Sequence, residues 1–240
     1  MMDMKQAWLI TVREMTMGRW TIPISILFSL YLGFTTSMVM SLQFNGDDVA
    51  LSPVMDFLIL FLLPFLGFLF NRRSFMYLQE DSYTTMLAYY RTLPIPSRIV
   101  VMSRIQQMFV GFVMNGLVYF CCLFVLAGDL QSNFSIAFFL TFALTWGAYG
   151  IIVHCIYIFM EMTSSGKRYF WNSLIGGIPI VILVIVVSMM GSSVVSWVTR
   201  ISRDFTLASP LLWVLLIGAI ASVWTSARLT LRSLLRRDLA

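Results

Sequence analysis

The chain has 240 residues, of which 59% are hydrophobic and only 11% charged, with a formal net charge of +5. Soluble domains carry about 25% charged residues, and one core of this size could not hide so much apolar surface from water. That excludes a soluble domain and predicts an all-α polytopic membrane protein, one transmembrane domain over residues 1–240.

Six spans are expected, at residues 21–42, 54–70, 105–127, 134–160, 170–190 and 210–227. Residues 1–20 are too polar to cross. Trp8 and Trp20 predict an interfacial helix with aromatic anchors, although Lys5 and Arg19 interrupt its apolar face. The first span would cover roughly 33 Å at 1.5 Å per residue. No cleavable leader is expected, because this first apolar run is itself long enough to span. The second span is short and holds Pro64 and Gly67, so it should be kinked or tilted. The fourth is long and should tilt strongly or project past the lipid. Before the sixth span, Val194, Trp197, Val198, Ile201 and Phe205 recur at helical spacing with Arg200, Arg203 and Asp204 mostly opposite. That pattern predicts an outer interfacial or re-entrant helix within residues 191–209.

Orientation follows from lysine and arginine. All of the 16 basic residues except Arg200 and Arg203 fall in the N-terminal segment, the second and fourth connectors and the tail. The opposite loops hold Asp47, Asp48 and Asp129. Both termini are therefore expected in the cytoplasm of a cell-membrane protein.

The second connector, residues 71–104, is the longest hydrophilic segment. Tyr83, Met86, Leu87 and Tyr90 form one apolar stripe at i, i+3, i+4 and i+7. Glu80 and Asp81 precede this helix and Arg91 closes it, both favourable to the helix dipole, with Ser82 as N-cap. Leu93-Pro94-Ile95-Pro96 must then be extended and stiff, since each proline fixes its own φ and bars the preceding residue from the helical region. Ser97 can cap the next helix, which runs through Arg98 and Arg104 into the third span. A surface helix joined to a membrane helix by a rigid strut is built to transmit displacement.

At Leu93, Pro94, Ser97 and Arg98, with Glu80 and Asp81 ahead of the helix, the chain resembles the permeases of ABC type-2 exporters. Their first cytoplasmic loop carries a coupling helix followed by a Leu-Pro-x-x-Arg-like turn. Pro96 departs from the small or polar residue usual there and makes the turn stiffer. The resemblance extends over nearly the whole layout. It implies a transport subunit that works as a homo- or heterodimer with a second permease subunit and with cytoplasmic ABC ATPase subunits. ATP and magnesium would be held by those partners, the coupling surface being Glu80, Asp81, Tyr83, Met86, Leu87, Tyr90, Arg91, Leu93, Pro94, Pro96 and Arg98. An apolar or amphipathic cargo (a peptide, lipid or drug) suits spans rich in Phe, Met and Leu.

This chain is not expected to be an enzyme or to bind a nucleotide, a metal or nucleic acid. Ser164-Ser-Gly-Lys167 lacks the upstream glycine and following Ser or Thr of a phosphate loop, and a lone histidine cannot supply a metal site. An ion-coupled secondary transporter is the alternative, and an intramembrane hydrolase a more distant one. A coupled carrier would want a carboxylate or histidine at membrane depth. Asp56 lies within a turn of its span's outer end and can reach water, Glu161 is at an inner end, and His154 reads as a hydrogen-bonded packing residue. Gln106, Gln107 and Asn115 give the third span a polar side, so Gln106 and Asn115 could line a substrate path. Gly111, Gly116, Gly147 and Gly150 mark places for close helix approach. Cys121, Cys122 and Cys155 read as small hydrophobes.

Overall fold

A computed structural model describes residues 2–18, 20–45, 51–70, 76, 79–93, 95–126 and 135–236. Pro94 and the loop charges Arg19, Arg72, Arg73, Asp47, Asp48, Asp129 and Arg237 lie outside them. Among the described residues all regular structure is helical: α1 (Met2–Met17), α2 (Thr21–Asn45), α3 (Ser52–Phe57), α4 (Ser82–Thr92), α5 (Ser97–Leu126), α6 (Ile136–Thr163), α7 (Gly166–Met189), α8 (Val194–Phe205) and α9 (Pro210–Arg236). Five of these, α2, α5, α6, α7 and α9, are long and apolar enough to cross a membrane, which marks the chain as a membrane protein.

The predicted second span differs from the others. After α3 the chain makes a π-helical stretch, Leu58–Leu62, then a 3₁₀ stretch, Leu63–Gly67, and Phe68 is extended. Pro64 is the local cause, since a proline lacks the N–H that would continue the ladder and crowds the carbonyl four residues earlier. The carbonyls left over must be satisfied by other groups, because lipid offers no partner. Neighbouring helices provide them. Tyr149 Oη donates to Leu60 O at 2.7 Å, His154 Nδ1 sits 3.1 Å from Pro64 O, and Asn115 Nδ2 donates to Leu66 O and Phe68 O at 2.9 and 3.1 Å. A carbonyl only accepts, so His154 Nδ1 carries its ring hydrogen.

Two glycines allow this irregular backbone to lie directly on α5: a Cβ on Gly111 would fall 2.5 Å from Gly67 O. Gly150 is likewise closed in, by Phe112 and Leu63. Gly116 and Gly147 correct the expectation of close approach. A Cβ on either would meet nothing within 4 Å, and both border an open apolar groove between α5 and α6.

The most extensive pairing is α6 with α9, followed by α2 and α1 against α5. The apolar core between them gathers Leu32, Met55, Ile59, Leu63, Tyr119 and Phe142. α7 is the least buried span, leaving Trp171, Leu174, Ile178 and Ile182 exposed to the surroundings. α1 packs Ala7 and Thr11 against α5, with Thr11 Oγ1 donating to Ser103 O at 3.1 Å, while Trp8 and Trp20 stay exposed.

Asp56 corrects a second expectation. It does not reach water: it is 1% exposed and caps the N-terminus of α8. Its carboxylate accepts from Ser193 Oγ, Val194 N and Val195 N, each at 2.8 Å. The last two are N–H groups that a helix cannot satisfy itself. α8 buries Val195, Val198, Thr199 and Ser202 and exposes Trp197 and Phe205, so the stripe read from the sequence is divided between the protein and its surroundings.

Candidate functional site

The residues able to do more than pack converge beneath α4. Its apolar stripe faces inward. Met86 and Leu87 pack with Val100, Val101, Met108, Ile158 and Leu234, contributed by α5, α6 and α9, and Tyr83 joins Phe68, Tyr157 and Tyr169. Of the predicted coupling residues, Glu80, Arg91, Pro96 and Arg98 are exposed, Asp81, Tyr90 and Leu93 are partly buried, and Tyr83, Met86 and Leu87 are buried. The outer face of α4 is instead Thr85, Tyr89 and Thr92. Three apolar residues on one helix face find enough apolar surface in their own chain to be covered there, which a sequence pattern cannot distinguish from cover by a partner.

Polar contacts fasten α4 at both ends. Asp81 takes the N-cap position, in place of Ser82, with a left-handed φ of 43°, which aspartate tolerates better than most residues. Its Oδ1 accepts from Gly166 N at 2.7 Å, tying α4 to the first turn of α7. Only Ser164 and Ser165 separate α6 from α7, so Gly166-Lys167 opens a helix. At the other end Arg91 Nη2 donates to Leu234 O, 2.7 Å away in the last turn of α9. Tyr90 Oη donates to Glu14 Oε1 of α1 at 2.5 Å. Leu93 is extended beyond the helix, as the proline pair requires, and Ile99 N on Pro96 O starts α5.

Glu14 leads into a buried charged cluster. Gln107 Nε2 donates to Glu14 Oε2 at 2.7 Å. Arg104 donates through Nη1 to Gln107 and through Nε and Nη2 to both oxygens of Glu161 on α6. Arg104 Nη1 also lies 3.9 Å from Glu14 Oε2. The side chains of Glu161, Glu14 and Arg104 are only 2%, 8% and 15% exposed. A two-pronged guanidinium between two carboxylates fixes relative position as well as charge. The cluster therefore sets α1, α5 and α6 in one register, and Tyr90 carries α4 into it.

The sequence makes Arg104 an orientation marker on the helix entering the third span and puts Glu161 at a span end. Their position at the very edges of apolar runs is the available signal, since charges drawn into a bundle there need partners. Of the two candidate path residues, Asn115 is fully buried and spent on the second segment's carbonyls. Gln106 bonds α1, donating to Met4 O at 3.3 Å and accepting from Thr11. Arg98 lies 3.8 Å from Asp3, both largely exposed, a contact of little energetic weight. Among the described residues no three His, Cys, Asp or Glu side chains stand close enough to hold a metal. Comparison with models of protein families, with curated proteins and with solved structures finds no match for this chain.

Proposed function

We propose that the chain is the permease subunit of an ABC exporter, moving an apolar or amphipathic cargo, and that α4 is its coupling helix. The observation that carries the reading is the fastening of α4 to five other helices: Asp81 to α7, Tyr90 to α1, Arg91 to α9, and Met86 and Leu87 into α5 and α6. A load on such a helix reaches most of the bundle, whereas a loop helix that merely covered apolar ends would need no polar ties to three of its neighbours. The partner ATPase would touch the outward residues Thr85, Tyr89 and Thr92, with Glu80 and Arg91 beside them. Six crossings complete the layout, with the broken stretch from Ser52 to Phe70 as the second. Its Asp56 end holds α8, and Phe70 N donates to Ser25 Oγ near the start of α2 at 2.9 Å.

The ion-coupled alternative wants a titratable group at mid-depth. Glu14, Arg104 and Glu161 cluster with α4 at one end, and His154 is committed to a carbonyl. Both observations favour the permease.

Both termini and α4 are placed in the cytoplasm by the basic residues. In a cysteine-free background, Thr85→Cys should label with an impermeant thiol reagent in inverted vesicles and stay unlabelled in intact cells; labelling from outside sinks the orientation.

Function is tested by purifying the chain from its native membrane with its associated proteins and reconstituting them. The chain alone should neither bind nor hydrolyse ATP, and efflux should require a co-purifying ATPase. Tyr89→Ala should reduce co-purification several-fold without lowering the thermal stability of the chain alone, because Tyr89 is 55% exposed. Pro94→Gly/Pro96→Gly should leave assembly and ATP hydrolysis in place while efflux falls about tenfold, the freed backbone no longer carrying the load. ATP binding by the isolated chain, or ion-driven efflux without an ATPase, would replace this reading with another.

A further inference from the structure

A second feature lies beside α4, at Tyr83. A cavity of about 280 Å³ opens between the broken second segment, α4, α6 and α7. Its wall is almost entirely aromatic. Phe65 and Phe68 face Tyr157 with ring centres 5.8 and 5.7 Å apart, and Tyr83 meets Tyr169 edge-on at 5.5 Å. Phe170 and Leu174, both exposed, stand where the cavity meets the outer surface of α7.

Three features of this cavity select its occupant. Eight of the lining side chains are aromatic and surround a volume the size of a headgroup, a composition that attracts a weakly hydrated cation. The lining holds no charged side chain, so nothing on the wall repels a positive ligand; Lys167 and Arg168 are exposed on the first turn of α7 and do not line it. The buried Ser173 Oγ on this wall has no hydrogen-bond partner and can accept from a ligand hydroxyl or ammonium hydrogen. A neutral hydrocarbon would use the apolar surface alone.

We infer that this aromatic cavity binds a quaternary ammonium or similarly soft organic cation, entering from the membrane side past Phe170 and Leu174. Tyr83 belongs to α4, so an occupied cavity bears directly on that helix. Binding needs only this chain, and its failure would leave the permease reading standing.

The test is equilibrium dialysis of labelled benzyltrimethylammonium against the full chain in phosphatidylglycerol nanodiscs, with empty nanodiscs as blank. Choline should displace the probe, while its neutral isostere 3,3-dimethylbutan-1-ol should need at least about tenfold higher concentration. Tyr157→Leu should weaken binding about tenfold and Tyr157→Phe less than about threefold, since the ring and not the hydroxyl supplies the attraction. Repeating the measurement in phosphatidylcholine nanodiscs separates the sources. Weaker probe binding there means that a lipid headgroup fills the cavity, and unchanged binding means that a free cation does. Equal displacement by choline and the alcohol overturns the inference whatever the variants do, as does wild-type affinity in Tyr157→Leu.

Discussion

Arg104→Leu is expected to destabilise the chain by roughly 3–5 kcal/mol, the cost of leaving a buried charge without its partner. The substitution takes from Glu161, 2% exposed, its two-pronged partner and from Glu14, 8% exposed, a guanidinium 3.9 Å away. It also leaves the Gln107 oxygen without its donor. For a chain of this length the midpoint of thermal unfolding in detergent should fall by roughly 10 °C. Arg104→Lys should lie between the two, since an ammonium keeps the charge but cannot bind both Glu161 oxygens at once. Arg104→Leu/Glu161→Leu should recover part of the loss, because the buried carboxylate that lost Arg104 is then absent from α6. A midpoint for Arg104→Leu within about 2 °C of wild type would show that the cluster is hydrated and contributes little.

Asp56→Ala should act on one element and leave the rest in place. The variant removes the acceptor for two helix N–H groups and one hydroxyl, all in a place where Asp56 is 1% exposed. Orphaned buried donors cost about 1–3 kcal/mol each, and a carboxylate at a helix N-terminus adds a dipole contribution of about 0.3–1 kcal/mol. α8 should therefore open more often. Hydrogen exchange of residues 194–205 is expected to accelerate at least about thirtyfold while residues 136–163 keep their protection. Asp56→Asn should fall between, as one side-chain oxygen remains to accept. Unchanged exchange in α8 would mean that its packing through Val195 and Val198, and not the cap, holds it.

Much of this molecule could be read from one sequence. Apolar runs longer than a bilayer core predict membrane helices whatever their neighbours, because lipid forces each backbone to satisfy itself; α2, α5, α6, α7 and α9 are those runs. The amphipathic helix at Ser82–Thr92 and its sharp end before Pro96 were equally local, set by a 3.6-residue period and by proline's missing N–H. His154 could also be read as a satisfied packing residue, since an isolated imidazole in an apolar run must hydrogen-bond something.

Only the tertiary structure decided which partners those groups find. Pro64 announces a break, but nothing near it in sequence says that Tyr149, His154 and Asn115 will hold the freed carbonyls. Asp56 and Ser193 are 137 residues apart and meet at one helix start. Glu14, Arg104 and Glu161 look like three unrelated flanking charges until α1, α5 and α6 bring them into one dry junction. The inward turn of Tyr83, Met86 and Leu87 has the same origin. Periodicity is a property of a single helix, but the cover for its apolar face, and the counter-ion for a buried charge, come from whichever element the fold places opposite.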